Sequence, residues 1–119
     1  MSIYGDIILD HYHNPRNFKK LEKSTTKVHV DNPLCGDSID MAIFEKDGLI
    51  NNIGYVGQGC AISLASASLL TEYAKGKSIV KIKKINTDFV LGLLNIELSP
   101  NRIKCALLPW EGLMKLVNK

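Results

Sequence analysis

The sequence predicts an α+β fold, and three observations carry that prediction. Three β-rich segments, residues 26–32, 38–45 and 49–56, follow one another with turn residues between them. Apolar residues recur at helical spacing on both sides of that block. The chain of 119 residues is the size of one domain and leaves no room for a second, so residues 1–119 are expected to form a single unit with one core.

Residues 3–13 read as a helix, with Ile3, Ile7 and Ile8 on or near one face. It ends before Asn14-Pro15, because proline disfavours helical geometry in the residue before it. Residues 19–24 are polar and connecting. The β block then forms an antiparallel meander, with Lys46-Asp47-Gly48 supplying a tight hairpin between its last two strands. Gly57-Gln58-Gly59 hands the chain to a second helix over residues 60–74, where Ile62, Ala65, Leu69 and Tyr73 recur at helical spacing. Lys75-Gly76-Lys77 closes it, with cations near the negative end of the dipole and glycine as cap. Residues 78–85 fit either period. A short helix follows from Thr87 or Asp88 to Leu94. Ser99 as N-cap and Pro100 at the first helical position open the last helix. Ile103, Leu107, Trp110, Met114 and Val117 mark its expected core stripe.

A hydrophobic fraction of 45% and a charged fraction of 23% exclude a disordered, collagenous or coiled-coil chain. There is no apolar run of the roughly 18 residues that cross a bilayer. The segment from Met1 to Asp6 has neither the basic region nor the apolar stretch of a secretory signal. A soluble, cytoplasmic protein without a membrane partner is expected. The net charge of +3 decides little about partners. Lys75, Lys77, Lys81, Lys83 and Lys84 lack interleaved aromatics and read as a solvated face. With only 7% aromatic residues there is no base-stacking platform, so nucleic acid is not an expected partner.

Cys35, Cys60 and Cys105 are an odd set that cannot pair completely, and in a reducing cytosol thiols that share a site point to metal or redox chemistry. They match no zinc-finger spacing, so their neighbours carry the argument. In Asn32-Pro33-Leu34-Cys35-Gly36-Asp37, proline stops the first strand and glycine turns the chain between Cys35 and Asp37. Both side chains can then reach a common point, although an Asx-type turn beside a buried cysteine explains the segment as well. Cys60 follows Gly57-Gln58-Gly59 at a helix N-terminus, where the dipole and unpaired N–H groups favour a thiolate. The small residues after it let that helix pack closely, and a structural cysteine at a glycine turn is the plainer alternative.

Cys105 lies four residues before Pro109, whose missing N–H leaves the Cys105 carbonyl without its usual helical partner, so the backbone should bend or find a side chain or water. Arg102 and Lys104 favour its thiolate if their charges approach, and are otherwise solvated. Together the three segments offer three thiols and one carboxylate, each expected on a loop or helix end. That set completes a tetrahedral zinc site or anchors a two-iron cluster. His11 and His13 read as capping or surface groups, His29 as an outward strand residue, and Asp31 and Asp40 as surface residues.

Over nearly its whole length the chain resembles the U-type iron–sulfur cluster assembly family, which comprises IscU, SufU and the N-terminal domain of NifU. The marks are residues 10–17 (Asp10-His11-Tyr12-His13-Asn14-Pro15-Arg16-Asn17), the Cys35 and Cys60 segments above with Ala65-Ser66-Ala67-Ser68, and Arg102-Ile103-Lys104-Cys105-Ala106. The resemblance implies a small antiparallel sheet covered by helices and a metal site matching Cys35, Asp37, Cys60 and Cys105. It also implies sulfur delivery by a pyridoxal-phosphate cysteine desulfurase. IscU-like members have a histidine where this chain has Lys104, and a Leu-Pro-Pro-Val-Lys signal where it reads Leu98-Ser99-Pro100-Asn101-Arg102. Both departures, with Leu107-Leu108-Pro109-Trp110, resemble the zinc-bound SufU type. The 44 residues between Cys60 and Cys105 match the shorter IscU spacing instead.

The expected function is therefore in iron–sulfur cluster biogenesis. The leading reading is a zinc-bound acceptor that takes sulfane sulfur on Cys35, with Cys105 second, and relays it to downstream assembly proteins. The alternatives are a scaffold that builds and releases a [2Fe-2S] cluster, and a structural zinc module without sulfur chemistry.

Overall fold

The elements in the computed structural model, which describes residues 5–118, are α1 (Gly5–His13), β1 (Thr26–Asn32), β2 (Asp37–Lys46), β3 (Leu49–Gln58), α2 (Ala61–Ala74), α3 (Ile79–Ile82), α4 (Thr87–Leu94) and α5 (Pro100–Val117). The fold is α+β, as expected. Ile3 of the expected first helix lies outside the described residues. Of its two neighbours Ile8 is fully buried, whereas Ile7 is 42% exposed.

The sheet has the order β1-β2-β3 and is antiparallel throughout. Lys46 pairs with Leu49, which leaves Asp47 and Gly48 as a two-residue loop. Their φ values of 56° and 78° are those of a type I′ turn, whose twist matches the flanking strands. Side chains alternate along β2: Ile39, Met41 and Ile43 are buried, while Asp40 faces out. There Asp40 lies opposite His29 on β1, 2.7 Å from its Nδ1, so His29 takes the outward position expected of it.

α2 runs through the middle of the molecule, against β3 and three other helices, α1, α4 and α5. Nine of its residues are buried, including Ser63, Ser66, Ser68 and Thr71. Each of these hydroxyls has a partner. Ser66 donates to the Ala106 carbonyl on α5 (2.6 Å), and Thr71 donates back to Ala67 (2.7 Å) while accepting from the Asn17 amide (3.1 Å). Ser68 takes the Arg16 N–H (2.9 Å) and lies 2.7 Å from His11 Nδ1. Small side chains admit the neighbouring backbones closely, and satisfied hydroxyls remove the penalty for burying them.

The ambiguous segment 78–85 resolves as a single helical turn, because Ser78 caps it by accepting the Lys81 N–H at 3.1 Å. Ser78 also bridges to Leu49 at the start of β3. On α5 the expected stripe is displaced except at Val117, which is buried as expected. Ile103, Leu107, Trp110 and Met114 are half-buried, and the fully packed face is Cys105, Ala106, Leu108, Pro109, Gly112, Leu113, Leu116 and Val117. The reason is steric: a Cβ on Gly112 would stand 2.7 Å from Met41 Sδ and 3.3 Å from Val30 Cγ2, so α5 approaches the sheet at its glycine. α5 runs through Pro109 as one helix. Ser66 supplies the side-chain donor near that interruption, to the Ala106 carbonyl rather than to that of Cys105.

Candidate metal centre

The β1–β2 connection is four residues long, since Asn32 pairs with Asp37. Asn32 organises it, its carbonyl accepting the Cys35 N–H (3.1 Å) and its side chain the Leu34 N–H (3.3 Å). Gly36 has φ +72°, the left-handed conformation in which glycine carries no Cβ penalty. The turn leaves Cys35 exposed and drops Asp37 into the first position of β2, where it is 1% exposed. Cys60 is the N-cap residue of α2 and is half-buried. Cys105 is 3% exposed and packs with Ile8, Ile62 and Ala65, so it belongs to the packed interior rather than to the helix end expected for it.

Ligand atoms of Cys35, Asp37 and Cys105 all lie within 4.8 Å of one another. Cys60 stands outside that spacing but is tied to it, since its N–H donates to Asp37 Oδ1 at 2.9 Å. Gly59 makes this possible: a Cβ there would come 2.5 Å from Asp37 Oδ1 and 2.6 Å from Ser63 Oγ. Ser63 lies beneath the corner, donating to the Cys60 carbonyl (3.1 Å) and standing 3.8 Å from its sulfur.

The donor set fits a metal. Asp37 Oδ1 is spent on the Cys60 N–H, but Oδ2 is buried without a hydrogen-bond partner, a costly state for a carboxylate oxygen unless a cation meets it. Thiolates about 2.3 Å from a tetrahedral zinc stand roughly 3.8 Å apart, so the three donors need only a small closure. Burial pushes the Cys105 thiol up from its ordinary value, and Cys35, Asp37 and Cys60 add to the shift. These are the largest influences, so the help expected from Arg102 and Lys104 is not what governs it; both cations are exposed. Left to itself Cys105 stays protonated, and a metal reverses that preference by binding the thiolate.

Two residues have roles that the sequence reading does not assign to them, His11 and Ser63. His11 is half-buried and bonded to Ser68 rather than free on the surface. Desolvation and the nearby Arg16 cation lower its pKa from 6.5, and with Ser68 it fastens α1 to α2 across 57 residues of chain, a separation no local pattern reveals. Ser63 does carry a local signal, being three residues after an N-cap, where a hydroxyl can reach back to the capping carbonyl.

The NifU-like N-terminal domain family matches residues 3–119. The chain is 36% identical over 135 aligned positions to the zinc-dependent sulfurtransferase SufU of Bacillus subtilis, covering 99% of this chain and 91% of that protein. It is 37% identical over 115 positions to the iron–sulfur cluster assembly scaffold protein IscU of Escherichia coli, covering 92% and 88%. A crystal structure from Fervidobacterium islandicum, named as a candidate iron–sulfur cluster assembly scaffold protein for the SUF system, superposes with a TM-score of 0.85 at 26% identity, covering 97% of this chain and 96% of that one.

Proposed function

The chain belongs to the NifU-like N-terminal domain family, and from that premise we propose that it serves iron–sulfur cluster biogenesis as a sulfur acceptor and relay. Its partner is a pyridoxal-phosphate cysteine desulfurase. The desulfurase persulfide gives its outer sulfur to the Cys35 thiolate; the bond between the two donor sulfurs breaks, the desulfurase recovers its thiol, and Cys35 becomes the persulfide. The observation that carries this reading is exposure: of the three thiols Cys35 is the exposed one, on a loop turned by Gly36, while Cys60 is half-buried and Cys105 buried. The name of the Bacillus subtilis relative supports the same chemistry.

Cys35, Asp37, Cys60 and Cys105 would hold zinc, which supplies the positive charge that keeps thiols deprotonated. Asp37 is the one oxygen donor in a soft set, so it leaves the site more labile than four thiolates would. Cys60 and Cys105 hold their places while Cys35 receives sulfur. Mass spectrometry after incubation with desulfurase and cysteine tests the assignment. Wild type gains one sulfur at Cys35 and Cys35→Ser gains none; sulfur on Cys105 in the Cys35→Ser protein would transfer the acceptor role to Cys105. Metal analysis of the protein as isolated tests for zinc.

The short spacing between Cys60 and Cys105 and the name of the Escherichia coli relative favour a second reading, in which a [2Fe-2S] cluster is assembled here as cargo. Anaerobic addition of iron and sulfide separates the two: a stable chromophore that passes to an apo-ferredoxin supports the scaffold, and persistent colourless zinc protein supports the relay.

A further inference from the structure

We propose that Cys35 and Cys105 form a reversible disulfide in the metal-free protein, a redox-modification site that closes the metal centre. Their sulfurs lie within 4.8 Å of each other, and a disulfide bond is about 2.05 Å long, so they need to approach by no more than about 3 Å. The loop from Pro33 to Gly36 can supply that movement. Its hydrogen bonds run back to Asn32, nothing stands within 4 Å of a Cβ built on Gly36, and Leu34 projects into solvent at 87% exposure. Cys105 is the fixed half, packed on α5 against Ile8 and Ile62. Cys60 does not join Cys35, Asp37 and Cys105 in their mutual 4.8 Å spacing, and its N–H is tied to Asp37 Oδ1, so Cys35 with Cys105 is the pairing that the cluster brings together.

Accessibility sets the order of events. A small disulfide such as oxidised glutathione reaches the exposed Cys35 and not the buried Cys105. The Cys35 thiolate attacks one glutathione sulfur, the glutathione disulfide bond breaks, and one glutathione thiolate leaves. Cys105 then attacks the Cys35 sulfur; the mixed disulfide breaks, and the second glutathione leaves as a thiol with the Cys105 proton. Two protein thiols lose two electrons, and one oxidised glutathione becomes two reduced ones. The juxtaposition of the two sulfurs makes the second step intramolecular, which favours it over a second glutathione adduct. The product uses two sulfurs that the metal also needs, so disulfide and metal exclude one another. None of this requires sulfur relay.

The test uses protein stripped with chelator and reductant, treated anaerobically with oxidised glutathione, and blocked with N-ethylmaleimide before intact-mass and peptide analysis. The expected product is lighter by two hydrogens, takes up a single maleimide on Cys60, and links the peptides bearing Cys35 and Cys105. Dithiothreitol restores the starting mass. Cys60→Ser should form the same link, whereas Cys105→Ser should stop at a glutathione adduct on Cys35. Zinc uptake by the oxidised protein should fall at least tenfold, and uptake equal to that of the reduced protein would overturn the closure of the site. A link through Cys60, a lasting glutathione adduct in wild type, or a disulfide-linked dimer would overturn the pairing. A urea-unfolded control keeps the result tied to the fold: there the three pairings compete, and an identical product mixture in native buffer would also count against the proposal.

Discussion

Asp37 has two separable jobs. Oδ1 accepts the Cys60 N–H and Oδ2 is the unpartnered oxygen, so one carboxylate both shapes the corner and offers a ligand. Three substitutions divide these. Asp37→Asn should keep an acceptor for the N–H, and with it the stability of the metal-free protein, yet bind zinc more weakly. Asp37→Ala should lose both, costing about 1–2 kcal/mol for the orphaned N–H. Asp37→Cys should bind zinc more tightly and accept sulfur more slowly, as a closed four-thiolate site does. A chelator competition titration beside urea unfolding checks all three, and unchanged zinc affinity across the set would remove Asp37 from the ligand list.

His11 supplies a pH dependence at the same scale. Its folded pKa is lowered, chiefly by burial and next by Arg16, with Asp10 and Glu72 pulling the other way. The unfolded chain therefore binds its proton more readily, and the contribution to stability is complete above the ordinary value of 6.5 and lost as pH falls through the lowered folded value. Urea titrations of the metal-free protein from neutral to mildly acidic pH should show wild type losing more stability than His11→Gln. Equal losses would mean that the His11–Ser68 contact carries no proton linkage.

At the scale of elements, what the sequence reveals depends on how local the cause is. The hairpin at Asp47-Gly48 was legible because two adjacent residues fix it through their own φ values. The loop at Cys35 and the N-cap at Cys60 were legible for the same reason: proline, glycine and a strand-to-helix break are neighbours in the chain. The packed face of α5 was not. Periodicity favours large apolar side chains, whereas this helix buries Cys105, Ala106, Pro109 and Gly112 and leaves Ile103 and Trp110 half-covered. A close approach to the sheet rewards small residues, and a hydrophobic pattern does not score them as core. Gly112→Val should therefore destabilise the protein by about 1–3 kcal/mol through overpacking against Met41 and Val30. Thermal unfolding measures it, and relief by a companion Met41→Ala would locate the clash.

For the whole molecule, the candidate ligands come from the β1–β2 loop, the start of β2, the N-cap of α2 and the interior of α5. A metal held there ties together segments 70 residues apart in the chain, from Cys35 to Cys105. At free zinc about 100-fold above the dissociation constant, linkage contributes roughly 2.7 kcal/mol, and chelation should lower the melting temperature by roughly 10 °C. An unchanged melting temperature would mean that the site contributes nothing to folding. Membership of the family was legible in four motifs spread over nearly the whole chain, because three of the four candidate ligands, Cys35, Asp37 and Cys60, stand at turns or element ends that local residue types mark. The alignment with the Bacillus subtilis relative runs over 135 positions, more than the 119 residues here, so that protein carries residues this chain lacks. Among the described residues no helix is long and apolar enough to cross a membrane.

The burial of α2 also governs time. Its neighbours leave Glu72 alone exposed and Ala61, Leu64, Leu69 and Tyr73 half-buried, and its hydroxyls are bonded to α1, to α5, to the segment joining α1 to β1, and to its own backbone. An amide in the middle of that helix cannot meet solvent while the surrounding layers stay in place. Deuterium should therefore enter the amides of Ala67 and Leu70 only when the entire fold opens, whereas those of α1, a nine-residue helix that buries only Ile8, should exchange much sooner. The slowest amides would then keep a single clock for the molecule, and their rate would give its global opening frequency without denaturant.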